Sequence, residues 1–288
     1  MKILITTDGS KEAADAARAA SRLLTVNDRH VDVLYVAPEL RAPKSGKVSR
    51  QEYQHRAAVE TRRILEEAKQ ILAEEGVDAV TLCATGSPAK VIMRDGVDYD
   101  IVVIGAKGRE VRAEVGIGPV ASRVVEHATG CVLVGREPPS DQGMRILVPI
   151  DGSAGSEHAL DALSSFFDIE SAEITLLHVL ETLWLPTDAD DADSGQTDQL
   201  VLEFKREAEQ LLAEARGRFL AAHSDVTTSV REGIPANEIL SEIDQGAYDL
   251  VVVGASDAAD LKHSVLGSVS VKVAWNAPCS VLVVRVPE

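Results

Sequence analysis

The chain has 288 residues, a formal net charge of -17 and a pI near 4.8, which argues against a generic electrostatic grip on DNA, RNA or an anionic bilayer. At 45% hydrophobic and only 3% aromatic, its apolar residues are mostly Val, Ile, Leu and Ala, the set that suits parallel strands covered by helices, and the length favours two domains. The opening MKILITTDGS reaches Asp8 after a run too short for a signal-peptide core, and no apolar stretch approaches the roughly 18 residues of a membrane span; the expectation is a cytoplasmic protein without nucleic-acid or membrane partners.

In chain order, the pattern predicts a strand over 2–7, a helix over 10–24, a strand over 31–37, a helix over 50–75 and a strand over 78–84. A helix over 88–95, a strand over 100–105, a helix over 119–128 and a strand over 131–135 complete the first half. Short Val/Ile/Leu runs alternating with stretches of helical period give β-α-β-α-β-α-β-α-β. Right-handed crossovers turn that order into a doubly wound parallel sheet, which takes ligands outside the carboxyl ends of its strands, at a topological switch point.

The second half repeats the first. KILITTDGS at 2–10 returns as RILVPIDGS at 145–153, and VDVLYVAPE ending at Glu39 returns as ITLLHVLE ending at Glu181, with Asp8 and Val36 each 143 residues before Asp151 and Val179. ATGSPAKVI matches REGIPANEI, and YDIVVIGA at 99–106 matches YDLVVVGA at 248–255. GPVASRVVEHATGCVLVGR matches GSVSVKVAWNAPCSVLVVR, by then 149 residues on. The drift places extra residues in loops of the second copy, where insertion costs little. Domains over 1–137 and 144–288 are expected, joined by a linker at 138–143 within the proline-bearing REPPSDQG.

The strongest local motif is VVIGAKGREVRAEVGIGPVAS, where a buried strand runs into Gly105, Gly108 follows, and Gly118 opens a helix. Glycines let backbone N–H groups approach a phosphate, and a helix N-terminus adds unpaired donors and partial positive charge. The competing reading is that the glycines only make turns. Similarly, Asp8 with Ser10 and Asp151 with Ser153 can end a strand and cap a helix without touching a ligand.

Gly, two residues, Gly, nine residues, Gly and then Ser or Thr resembles the nucleotide loop of the universal stress protein family. The resemblance covers nearly the whole chain: DGS after the first strand, Val after the second, Gly-x-Pro before the third helix, and the element order. It implies two Rossmann-like domains of the adenine nucleotide alpha hydrolase type. It further implies ATP or another adenine nucleotide as cofactor, with Mg²⁺ as a companion ion. Thr7, Asp8 and Val36, with Ile150, Asp151 and Val179, would surround adenine and ribose. The phosphates would lie at Gly105, Lys107, Gly108, Arg109, Gly118, Pro119 and Val120 in one copy and at Gly254, Ser256, Gly267, Ser268 and Val269 in the other. An intrachain pseudo-dimer through the last strands, CVLVGR and CSVLVVR, and a homodimer beyond it, are also implied.

Neither copy matches the loop completely. Pro119 replaces the hydroxyl residue and removes an N–H, whereas Asp257 replaces the second glycine and sets a carboxylate near the phosphates. Lys107, Arg109 and Arg112 rank the first copy ahead on charge; Mg²⁺ bridging Asp257 to phosphate would reverse that order. The acidic run DADDADSGQTD at 188–198 fails calcium-loop spacing and reads as a solvated loop. The histidines form no metal pattern, and Cys83, Cys131 and Cys279 read as buried structural thiols. No GxxxxGK[ST] string, nucleophile elbow or paired carboxylate identifies a catalytic group. The leading expectation is a regulatory nucleotide binder with little or no hydrolysis. A slow ATPase or phosphotransferase, and a scaffold that binds no nucleotide, are the alternatives.

Overall fold

The computed structural model describes residues 1–24, 29–39, 49–108, 116–136, 144–170, 172–181, 194–219, 225–255 and 267–285. The chain separates into two compact units, Met1–Pro138 with Arg285–Glu288, and Pro139–Val284. The linker at 138–143 lies outside the described residues, as do Glu137, Arg109, Arg112, Ser256 and Asp257 and the acidic stretch up to residue 193.

The first unit runs β1 (Lys2–Thr7), α1 (Lys11–Leu23), β2 (His30–Ala37), α2 (Arg50–Glu74), β3 (Val80–Thr85), α3 (Pro88–Asp95), β4 (Ile101–Gly105), α4 (Pro119–His127) and β5 (Cys131–Gly135). A single 3-10 turn, Gly96–Asp98, separates α3 from β4. The strands are parallel in the order β3-β2-β1-β4-β5. The chain therefore winds outward from β1 to β3, then returns to the other side of β1, and the switch point lies between β1 and β4. The α1 and α2 helices pack on each other, as do α3 and α4, giving a helical layer on each face.

Both faces of the central strands are covered, so Leu4, Val33, Ile101 and Val103 are almost wholly buried, as continuous apolar runs in a parallel sheet require. The α1 helix meets the sheet through Ala13, Ala16, Ala17 and Ala20. Its approach is close enough that a Cβ on Gly135 would stand 2.6 Å from the Ala16 backbone. Ser10 lies just before α1 because its hydroxyl accepts the Ala13 N–H at 3.2 Å as the N-cap.

The second unit repeats the plan with β6 (Arg145–Pro149), α5 (Ala154–Phe166), β7 (Glu173–Leu180), α6 (Ser194–Gly217) and β8 (Asp225–Glu232). It finishes with α7 (Pro235–Gly246), β9 (Leu250–Gly254), α8 (Ser268–Asn276) and β10 (Ser280–Val284). Its parallel order is β8-β7-β6-β9-β10, with the switch point between β6 and β9.

One expectation is corrected. Cys131 and Cys279 are buried but Cys83 is exposed. It sits on β3, the edge strand of its unit, where Val80 and Leu82 also reach solvent; an apolar strand is covered only where a neighbour covers it.

Candidate functional site

In the first unit the ladder pairs Ile3 with Ile101 and Thr7 with Tyr35. Thr7 and Gly105 therefore end level, and Asp8 and Val36 lie one residue beyond, at the carboxyl side of the switch point. Thr6 Oγ1 donates to the Val103 carbonyl at 2.9 Å, stitching β1 to β4 beneath that edge. Gly9 adopts φ +73°, which turns the chain sharply into α1, and Asp8 Oδ1 accepts the Ser10 N–H at 2.9 Å.

The two described ends of the glycine loop meet beside the same spot. The Gly118 N–H donates to the Ala106 carbonyl at 2.7 Å, tying the start of α4 to the end of β4. Gly108 faces the Asp8 carboxylate so closely that a Cβ there would come 2.6 Å from Oδ2. Gly105 has a packing role as well, since a Cβ on it would lie 2.8 Å from the Glu12 carbonyl oxygen. Pro119 occupies the first turn of α4 with Gly118 as the N-cap, an arrangement that suits helix initiation but offers no donor at residue 119.

The second unit repeats the turn in detail. Gly152 has φ +78°, Asp151 Oδ1 accepts the Ser153 N–H at 3.0 Å, and Ser153 Oγ accepts the Ser156 N–H at 3.2 Å. Burial pushes the Asp151 carboxyl up, but the hydrogen bonds from Ser153 and Ser156 outweigh it and hold the group below the usual carboxylate range. Asp151 is ionised at neutral pH as a consequence.

These residues line a cleft of about 340 Å³, within the size range of small-molecule sites. Ile150, Asp151, Val179, Gly254, Gly267, Ser268 and Val269, all the described second-copy candidates, contribute to its wall. Sequence reasoning did not assign Pro149, Ser156, Leu177, Glu181, Pro235, Ile239, Val253 and Ser270 to a site; with Ser153 they complete the described lining. Ile239 and Val253 are buried at 2% and 3% exposure and make one side apolar. Ser270 Oγ donates to the Gly254 carbonyl at 2.7 Å, holding α8 to the end of β9. A Cβ on Gly254 would overlap the Gly155 carbonyl, so the start of α5 and the end of β9 meet backbone to backbone. His178 Nδ1 contacts the Ile150 carbonyl at 2.7 Å; a carbonyl only accepts, so Nδ1 carries the proton. That bond ties β7 to the turn after β6 and gives His178 a structural role.

An apolar slot fits a purine, a carboxylate beside it accepts from ribose hydroxyls, and the α8 N-terminus offers backbone donors to a phosphate. The donor set of the cleft therefore matches a nucleoside with a phosphate nearby. Among the described residues no cluster of three or more His, Cys, Asp or Glu side chains could hold a metal ion. No helix among them is long and apolar enough to cross a membrane.

The family model for the universal stress protein family matches residues 1–136 and again 144–285. A universal stress protein of Mycolicibacterium smegmatis is 28% identical over 300 residues, covering 98% of this chain and 96% of that protein. The single-domain universal stress protein YxiE of Bacillus subtilis is 33% identical over 145 residues, 49% of this chain and 98% of its own. Among solved structures, a universal stress protein from Archaeoglobus fulgidus superposes with a TM-score of 0.68 at 19% identity, covering 99% of this chain and 98% of that one, which speaks to the fold. With two family matches in tandem across its length, the chain belongs to the universal stress protein family.

Proposed function

We propose that the chain is a regulatory protein that binds an adenine nucleotide at the carboxyl edge of each sheet and releases it intact. The observation that carries the reading is the second-unit cleft: the described second-copy residues to which the family resemblance gives adenine, ribose and phosphate line one cavity of ligand size. In the first unit the corresponding residues gather at the switch point, with Gly108 against Asp8 and Gly118 bonded to Ala106. Adenine would lie by Val36 and Val179, ribose by Asp8 and Asp151. The phosphates would lie at the first turns of α4 and α8, with Lys107 beside the first and Thr7 on the ribose side; the candidates Arg109 and Ser256 fall outside the described residues. Slow hydrolysis would need a group that positions water; of the two carboxylates lining the second cleft, Asp151 is engaged by the Ser153 N–H and Glu181 is the one left to address in a turnover assay. Cytoplasmic location, an intrachain pseudo-dimer of the two matched domains and a homodimer of chains belong to the same proposal.

Isothermal titration of the full chain with ATP, with and without Mg²⁺, followed by analysis for ADP, tests it. Saturable binding with ATP recovered unchanged supports the reading. Stoichiometric ADP production would move the assignment to an ATPase, and no heat and no thermal shift with ATP, ADP, AMP or adenosine would leave a scaffold.

A further inference from the structure

Each unit ends in an edge strand at the same place in the fold: among the described residues β3 pairs with β2 alone and β8 with β7 alone. An edge strand leaves a row of backbone N–H and C=O groups open, a template for another strand unless charge or cover guards it. The two edges are guarded differently. Aligned on Gly86 and Gly233, which follow them 233 − 86 = 147 residues apart, Val80, Leu82, Ala84 and Thr85 of β3 become Thr227, Ser229, Arg231 and Glu232 of β8. Arg231 donates to Glu242 at 2.7 Å and Glu232 pairs with Lys205 at 2.7 Å, so charged side chains stand along that edge. The β3 sequence, VTLCAT, has no charge, proline or glycine, and its Val80 and Leu82 are 52% and 36% exposed.

A groove of about 890 Å³ runs between β3 and α2. Thr81, Cys83 and Thr85 form its floor with Tyr35 of β2, and alternation sends Val80, Leu82 and Ala84 to the opposite face. The α2 wall presents Ala58 and Leu65 together with Arg62, Glu66 and Lys69. Arg56, Arg62 and Lys69 stand against Glu60 and Glu66 along the groove, a balance close to neutral on a chain of net charge -17. Two copies can therefore meet here without the repulsion that their net charge imposes elsewhere. Arg62 and Glu66 lie one turn apart on the wall, so a two-fold axis between them sets each against its opposite in the other copy.

We propose that two chains associate by antiparallel pairing of β3 with β3 of a second copy, which continues the first sheet across a two-fold axis at Cys83 and fills the groove beside α2. This names the surface of the homodimer put forward above and is independent of nucleotide. Residues opposed in an antiparallel pair share a face, so the axis sets Thr81 opposite Thr85 and Leu82 opposite Ala84, a Thr–Thr pair and a large–small apolar pair. Cys83 then faces itself with Cα atoms about 4.5 to 5.5 Å apart, within disulfide reach.

The test follows the full-length protein by light scattering and by oxidation with copper–phenanthroline, read on a non-reducing gel. The expected result is a mass that rises with concentration towards twice 30.7 kDa, and a reducible dimer band that Cys83→Ser removes, since Cys131 and Cys279 are buried. Dye labelling of Cys83, fast in dilute solution, should slow over the same concentration range. Cys83→Lys sets two ammonium groups opposite each other and should weaken dimerisation about tenfold or more. Val230→Lys, at the matching position of β8, should leave it unchanged. Circular dichroism checks both folds, and if Cys83→Lys does not fold, crosslinking of the wild type decides. A dimer that fails to crosslink through Cys83, or that persists undiminished in folded Cys83→Lys, would overturn this surface while keeping the homodimer. A chain that stays monomeric at every concentration would overturn both, and would leave the nucleotide reading untouched.

Discussion

Gly108→Asp imports into the first copy the acid found at the equivalent loop position of the second. A Cβ at residue 108 comes 2.6 Å from Asp8 Oδ2, closer than side-chain atoms tolerate, and Asp8 cannot swing away without losing the Ser10 N–H at 2.9 Å. Two like charges on the order of 5 Å apart, at an effective dielectric of about 20 to 80, repel by roughly 1 to 3 kcal/mol. The loop must shift away from Asp8, and any phosphate beside it meets an added negative charge. ATP affinity at the first site is therefore expected to fall roughly tenfold to a hundredfold. Calorimetry would read the loss as a fall in the number of ATP sites, larger in 50 mM than in 500 mM salt because exposed charges are screened. Gly108→Ala separates the steric part, which should be the smaller one and insensitive to salt. Gly108→Asp binding ATP as wild type does, at both salt concentrations, would refute the placement of this loop against Asp8 and the phosphates.

Three further outcomes follow from the geometry. Pro119→Ser supplies an N–H and a hydroxyl in the first turn of α4 and should tighten ATP at the first site by up to about tenfold, measured by the same titration. Cys83 is exposed whereas Cys131 and Cys279 are buried, and burial pushes the Cys131 thiol up; a thiol-reactive dye should label one site per native chain quickly and three after denaturation. The Asp151 carboxyl is depressed in the folded state, so its stabilisation is present above the unfolded carboxylate value and disappears as pH falls through the lower folded one. Asp151→Asn should therefore lower the urea midpoint at pH 7, and the difference should shrink towards zero in acid.

The winding of both units was legible because hydrophobic period and strand order are local and repeated. Boundaries moved where a cap intervened: residues 10 and 24 were expected inside α1, yet Ser10 and Leu24 are its caps. The expected strand over 78–84 is β3 at Val80–Thr85, in the register set by its pairing with β2. Cys83 was misjudged because an apolar run looks the same at the edge of a sheet as in its centre. The cleft was half visible. Asp151, Pro235, Gly254 and Ser268 belong to motifs whose spacing survives in sequence, whereas Ile239 arrives from α7 with no motif of its own, and only the fold brings that helix to Asp151. Glu181 ends the repeated segment ITLLHVLE, but only the fold shows that it lines the cleft with Asp151.

Photolabelling with 2-azido-ATP followed by peptide mapping tests most directly whether adenine lies at the strand ends after β2 and β7. The account predicts saturable label, displaced by adenosine, on the peptides that contain Val36 and Val179; saturable label confined to other peptides, or none that adenosine displaces, would contradict it.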